Sequence, residues 1–277
     1  MKIKSIVADL CEIKSKDRVG YIVDFLRNNN IEHNVQKFIG GINVEVVKQG
    51  IIADKEIIFF AHHDIFNDLT EGANDNASSV AVLLAITKHL YFYEPYYTVR
   101  IVFNDSEELL GSTFYLNDFT ADFDKVLNRV GSFYYLKNLI EIEKVKAVFV
   151  LELSGIGDSI YIAQKSGNIF CETQLNEYLK AVAKNKGYKF TEIPISFSDM
   201  VSIAYFNLSG TVFGAIPLIE SRNYLIALQE QGNLTEIFPH VWKKNHTSMD
   251  NYFSIQDRAL QMMYEYMVKI IENIKAV

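Results

Sequence analysis

The chain has little cysteine, little proline and no excess of positive charge, and each shortage removes a class of protein. Two cysteines, Cys11 and Cys171, in 277 residues cannot build a disulfide framework, so both are expected as buried free thiols. With only four prolines, no Pro/Gly/Ser linker, internal repeat or low-complexity tract divides the chain, and one domain over residues 1–277 is expected. Lys and Arg number 27 against 34 Asp and Glu, a formal charge of −7, which argues against nucleic acid as a partner. Apolar runs such as Ile57–Phe60 and Ala147–Leu153 are far too short to cross a bilayer, so no membrane partner is expected. The opening MKIKSIVADLCEIKSKD has no apolar h-region, which predicts a protein of a reducing, bacterial-type cytoplasm. The N-x-S/T sequons at Asn76, Asn207, Asn233 and Asn245 then carry no glycosylation.

What is abundant is apolar: 49% hydrophobic residues, with 19 Phe and 16 Tyr, enough for a large packed core. The first third reads helix, helix, strand, strand, strand. Ser15 is placed to cap a helix that stops in the run Asn28–Asn30. Ile31–Phe38 and Ile42–Lys48 read as strands joined at Gly40–Gly41. Glu56–Ala61 is a continuous apolar run of a buried strand, and ASSVAVLLAITKHL from Ala77 is a buried helix. Thr98–Asn104, Ala147–Leu153, Ile160–Ala163 and Thr211–Ile216 read as further strands. Leu116–Lys146 reads as a helix plus an irregular excursion, and Thr173–Lys186 as a helix. A long amphipathic helix starts at Ser254, with Asp257 in a capping-box position and no heptad seam that argues a dimer. Alternating strands and helices predict an α/β, three-layer sandwich: a central mixed, mostly parallel sheet with helices on both faces.

In open α/β sheets, sites form beyond the carboxyl ends of the strands, so the residues just after each apolar strand carry the most information. After the first come His62, His63 and Asp64; after TVRIVFN come Asp105, Ser106, Glu107 and Glu108; Glu152 ends AVFVLEL. Asp75 lies in the loop GANDNASS, and His246 in KKNHTSMDN. Each alone has a plain structural reading. Asp75 suits a turn or N-cap, and Glu107-Glu108 a solvated helix start. A carboxylate closing an apolar strand, as Glu152 does, needs a partner when buried. Several strand ends delivering His, Asp and Glu to one rim point together to a metal centre.

The strings AHHDIFNDLTEGANDNASSVAVLL, EELLGS, VLELSG, FSDMVSIAYFNLSG and NHTSMDN match in order the motifs of the co-catalytic di-zinc aminopeptidases, and the chain from Glu56 onward resembles that family. Bacterial leucyl-type aminopeptidases belong to it, with glutamate carboxypeptidase and the glutaminyl cyclases as relatives. The resemblance implies the zinc-dependent exopeptidase fold and two zinc ions, although manganese or cobalt accept the same ligands. His62 and Glu152 would hold one ion, Glu108 and His246 the other, and Asp75 would bridge them. Glu107 would be the general base that takes a proton from the attacking water, and Asp64 would orient His62 through its second ring nitrogen. Adjacent Glu107 and Glu108 could divide these duties because neighbours in an extended segment point to opposite sides.

The chain departs from the family at three places. The Gly-Ser of EELLGS stands two residues closer to the glutamates than is usual. Aligning on it would give Asp105 and Ser106 the glutamate roles, but serine is a poor zinc ligand. Glu152 replaces the usual Asp, and Met200 follows Ser198-Asp199 where the family often has His. Asp199 either lines the substrate pocket or caps a helix at Met200–Phe206. The reading is an aminopeptidase acting on a peptide or small amino-acid derivative; a one-zinc glutaminyl cyclase and an inactive peptide-binding homologue are the alternatives. Intact Glu107 argues against the last. Phe119–Ile140 and Ser221–Trp242 are read as loops whose Phe, Tyr and Leu serve an apolar specificity pocket or their own packing.

Overall fold

A computed structural model describes residues 2–109, 123–164, 172–195, 198–230 and 238–276. The expectations for Cys171, Asn233, the Gly-Ser of EELLGS and residues 116–122 and 231–237 of the variable loops lie outside them. Eight strands form one sheet: β1 (Asn34–Lys37), β2 (Ile42–Lys48), β3 (Ile52–His62), β4 (Tyr97–Asn104), β5 (Val145–Leu151), β6 (Ser159–Gln164), β7 (Phe190–Pro194) and β8 (Gly210–Ile216). Their order is β1-β2-β4-β3-β5-β8-β6-β7. The four central strands β4-β3-β5-β8 run parallel, while β2 and β6 pair antiparallel onto their flanks. The expected mixed sheet is present.

Helices cover both faces, as strand alternation requires. Phe59 and Phe60 point to opposite sides of β3. Phe59 stacks on Phe149, which meets Phe213, which meets Tyr266 of the C-terminal helix. Phe60 instead meets Tyr135 edge-on, from a helix over Gly131–Lys137 on the other face. The helix α3 (Ser78–Phe92) is buried on every side from Ser78 to Leu84 because it lies between the sheet and two further helices, α1 (Ile3–Cys11) and that C-terminal helix. It therefore needs no polar stripe. The C-terminal helix (Asp257–Asn273) does have one, burying Leu260, Met263, Met267 and Ile270 along a single face. No described helix is long and apolar enough to cross a membrane.

Several local expectations are corrected. Ser15 does not cap the helix α2 (Arg18–Asn28); it sits in a short 3-10 turn, and its Oγ accepts the Ile65 N–H at 3.0 Å. The first strand begins at Asn34, not Ile31. The C-terminal helix begins at Asp257 after a turn at Tyr252–Ser254, and Asp257 forms no capping box. Phe190–Pro194, unassigned in the sequence, is an edge strand parallel to β6. Much of the expected loop Ser221–Trp242 belongs to a helix at Leu218–Gln229, and Leu116–Lys146 contains two short helices, Phe123–Leu127 and Gly131–Lys137. Cys11 is a free, half-buried thiol.

Candidate metal centre

Parallel register makes the site. His62 of β3 is level with Asn104 of β4, and Phe60 with Val150 of β5, so the chain leaves three neighbouring strands at one rim. Leu151 ends β5, leaving Glu152 one residue beyond the strand rather than within it. After β4, Ser106 takes a left-handed backbone (φ 62°) and turns the chain. Glu107 and Glu108 therefore line the same cleft, and the expected division to opposite sides does not hold. Asp105 and Ser106 are engaged elsewhere: Asp105 accepts the Ile42 N–H at 2.9 Å, and Ser106 Oγ donates to Gly40 O at 2.7 Å.

The fourth contributor is the loop from Gly72, whose left-handed backbone (φ 55°) favours glycine, and where a Cβ would meet Asp75 O at 2.7 Å. Asn76, joined to Asp75 by a cis peptide, faces away from the cleft. Its amide donates to Leu151 O at 2.9 Å and accepts from Leu153 N at 3.2 Å, so one side chain grips both neighbours of Glu152. Asn74 Oδ1 and Ser78 Oγ accept the N–H groups of Gly155 and Ser154, which completes a seam between the two loops. The Asp250 carboxylate accepts the N–H groups of Asn74 (2.7 Å) and Asp75 (3.1 Å). Beneath them the fully buried Arg18 donates to four carbonyls: Leu10, His63, Glu71 and Gly72. Burial pushes its pKa down to about 10.

The convergent side chains are His62, Asp75, Glu107, Glu108, Glu152 and His246, all on a cleft of about 350 Å³. Asp75 Oδ1 lies 3.3 Å from His62 Nε2, and its Oδ2 lies 3.4 Å from His246 Nε2. His246 Nε2 is also 3.1 Å from Glu108 Oε2. His62 Nδ1 lies 3.4 Å from Asp64, whose two oxygens accept the N–H groups of Glu107 and Glu108 at 3.2 and 3.1 Å. Asp64 thus stands behind His62 and also sets the glutamate pair. Two triads have ligand atoms within 4.8 Å of one another: Asp75, Glu108 and His246, and His62, Glu107 and Glu108. Glu152 is in neither.

The electrostatics arise from four acids packed into one buried cleft. Burial and the neighbouring carboxylates push Glu107 and Glu152 well above the usual carboxylate range, and burial with Asp75 nearby takes Glu108 to about 7. Burial also opposes ionisation of Asp75, yet His246 and His62 hold it below its ordinary value. Burial alone would lower His62, but Asp64 and Asp75 on its two nitrogens hold it well above. Among the described residues, buried Glu108 Oε1 and Glu152 Oε1 have no hydrogen-bond partner. An imidazole and carboxylate donor set with orphaned acceptors and excess negative charge fits divalent cations.

Asp199 does not line the cleft, although its charge acts on Glu107 and Glu152. Fully buried, it accepts Asn104 Nδ2 at 2.9 Å, and it does not cap the following helix (Met200–Tyr205), where Ser198 Oγ accepts the Met200 N–H instead. Sequence reasoning missed Leu153, Tyr161 and Ile195, which join Phe238 and Trp242 on the cleft's apolar wall. It also missed Asn76 and Asp250, although both stand inside the motifs it used. For Arg18 the sequence carries no signal.

A comparison with curated proteins gave no match. Among solved structures, a zinc aminopeptidase from Bacillus subtilis is 19% identical over 83% of this chain, with a TM-score of 0.59; the chain spans about half (48%) of that protein. A Zn-dependent exopeptidase from Parabacteroides distasonis (17% identity, TM-score 0.73) and a glutaminyl cyclase from Tannerella forsythia (18%, 0.73) each match over 98% of this chain and 97% of their own. At such identities the likeness is one of fold. The model of Peptidase family M28 matches residues 43–271, from β2 through the C-terminal helix and across every convergent side chain of the cleft, and the chain belongs to that family.

Proposed function

We propose that the chain is a metal-dependent exopeptidase, an aminopeptidase whose single catalytic domain removes N-terminal residues from peptides. The observation that carries this reading is the Asp75 carboxylate, which offers one oxygen toward His62 and the other toward His246, the geometry of a ligand shared between two cations. His62 and Glu152 would hold one zinc ion, Glu108 and His246 the second, with Asp75 between; manganese or cobalt would accept the same donors. Such a pair, when bound, polarises a peptide carbonyl and acidifies water. Glu107 lines the same cleft as the residues of both positions and acts as the base, taking a proton from the attacking water and delivering it to the leaving amine. Asp64 holds the Glu107 and Glu108 backbone and steadies His62. The wall of Leu153, Tyr161, Ile195, Phe238 and Trp242 suits an apolar side chain of the substrate.

A second reading, a glutaminyl cyclase using one ion, is favoured by the compact triad Asp75, Glu108 and His246 and by Glu152 standing outside either triad. Metal content after dialysis, paired with a panel of amino-acid anilides and an N-terminal-glutamine peptide, separates the two. Two zinc ions per chain with anilide hydrolysis is the expected result. One ion with ammonia release from the glutamine peptide would replace the aminopeptidase with the cyclase.

A further inference from the structure

His246 stands on an irregular loop with its backbone in the left-handed region (φ 64°), a conformation that costs energy in any residue bearing a Cβ. The loop's own hydrogen bonds shape the backbone around it and leave the ring untouched. Thr247 Oγ1 donates to Lys244 O at 2.6 Å, Met249 N–H donates to Thr247 Oγ1 at 3.1 Å, and Asn251 Nδ2 donates to Ser248 O at 3.0 Å. The edge of the ring turns to Asp75 and Glu108. Its flat face lies on Phe66, with ring centroids 4.2 Å apart and planes 10° from parallel.

Phe66 is itself held in place. The preceding Ile65 N–H is fixed on Ser15, and the Asn67 side chain closes the following turn by accepting Leu69 N–H at 2.8 Å. Yet the Phe66 side chain remains 37% exposed, so core burial does not account for a phenylalanine there. Its stacked partner is a proposed ligand whose backbone alone does not fix its ring.

We propose that Phe66 is a positioning residue for the metal centre: its ring locks His246 in the orientation that presents Nε2 beside Asp75 and Glu108, and so sets the affinity of the ion held there. The inference rests on the metal-binding reading above. Two physical effects act together. Stacking removes the rotational freedom that a loop histidine would otherwise lose on coordination. An imidazole bound to a dication also carries part of the positive charge, which the face of a phenyl ring attracts.

The test is zinc and cobalt affinity, measured by chelator competition and by the visible spectrum of bound Co²⁺, for wild type, Phe66→Ala, Phe66→Leu and Phe66→Tyr. Losses of about 10–100-fold are typical when a partner that orients a metal ligand is removed. Phe66→Ala and Phe66→Leu are expected to lose that much for one ion. The ion held by His62 stays within about threefold of wild type, and the thermal midpoint of the metal-free protein is unchanged. Phe66→Tyr, which keeps the ring, should bind as wild type. Phe66→Leu binding as wild type would overturn the proposal, since volume rather than the ring would be acting. So would unchanged binding by Phe66→Ala, or equal loss of every ion with a lowered thermal midpoint. A wild-type chain that takes up no cation overturns the metal reading itself, together with this inference.

Discussion

Asn76→Ala is the substitution whose effect the structure fixes most directly. The Asn76 side chain is fully buried, and its two bonds satisfy a carbonyl and an N–H on either side of Glu152. Alanine leaves Leu151 C=O and Leu153 N–H unpaired where water does not reach. Each buried group so orphaned costs about 1–3 kcal/mol, so the loss is about 4 kcal/mol of folding stability, a large part of a typical domain's total. Urea unfolding of the metal-free protein measures it, read as a lower midpoint at an unchanged slope. Asn76→Asp keeps the shape but turns the donor toward Leu151 O into an acceptor, and should be at least as damaging. A loss under about 1 kcal/mol for Asn76→Ala would refute the argument, because the loop after β5 would then find other partners and Asn76 would not fix Glu152.

Three other outcomes rest on particular contacts. Glu107→Gln should keep its metal and lose about 10²–10⁴ in kcat, the usual share of a general base; full turnover would place the base elsewhere. Arg100 pairs at 2.7 Å with Glu45 and through two nitrogens with Glu56, all largely buried, so Arg100→Met should destabilise by about 3 kcal/mol in the same urea assay. Burial pushes the Cys11 thiol from 9.0 up to about 12, so in a Cys171→Ser background it should resist alkylation at pH 8 until the protein unfolds. Because that folded pKa is raised, the associated stability is whole below about pH 9 and is lost as pH rises from there toward 12, which pH-dependent unfolding would display.

The central strands and α3 were legible because they are encoded by near neighbours: an apolar run of six or seven residues becomes a buried strand whatever surrounds it. The strand over Phe190–Pro194 was not, since it lies at the sheet's edge and alternates only between buried and half-buried positions. The helix at Leu218–Gln229 was hidden by its weak apolar stripe, with only Ser221 and Tyr224 buried. Ser15 and Asp257 suit helix caps by the same local logic, but Ser15 is taken by Ile65 and the C-terminal helix starts later.

For the site, the sequence by itself determined which residue types come after which strands: His62, Glu107, Glu108 and Glu152 each follow closely on an apolar run. Those are properties of short segments. Only the tertiary structure decided that Asp75 faces two histidines with its two oxygens, that Glu107 and Glu108 share a wall, and that Glu152 stands apart from both triads. It alone brought Arg18 under the loops, Asn76 onto the end of β5 and Phe66 onto His246, a residue 180 positions away. Periodicity in a chain records the face each residue turns to its neighbours. The angle at which one loop meets another depends on register, turns and buried hydrogen bonds between distant segments, and those exist only once the chain has folded.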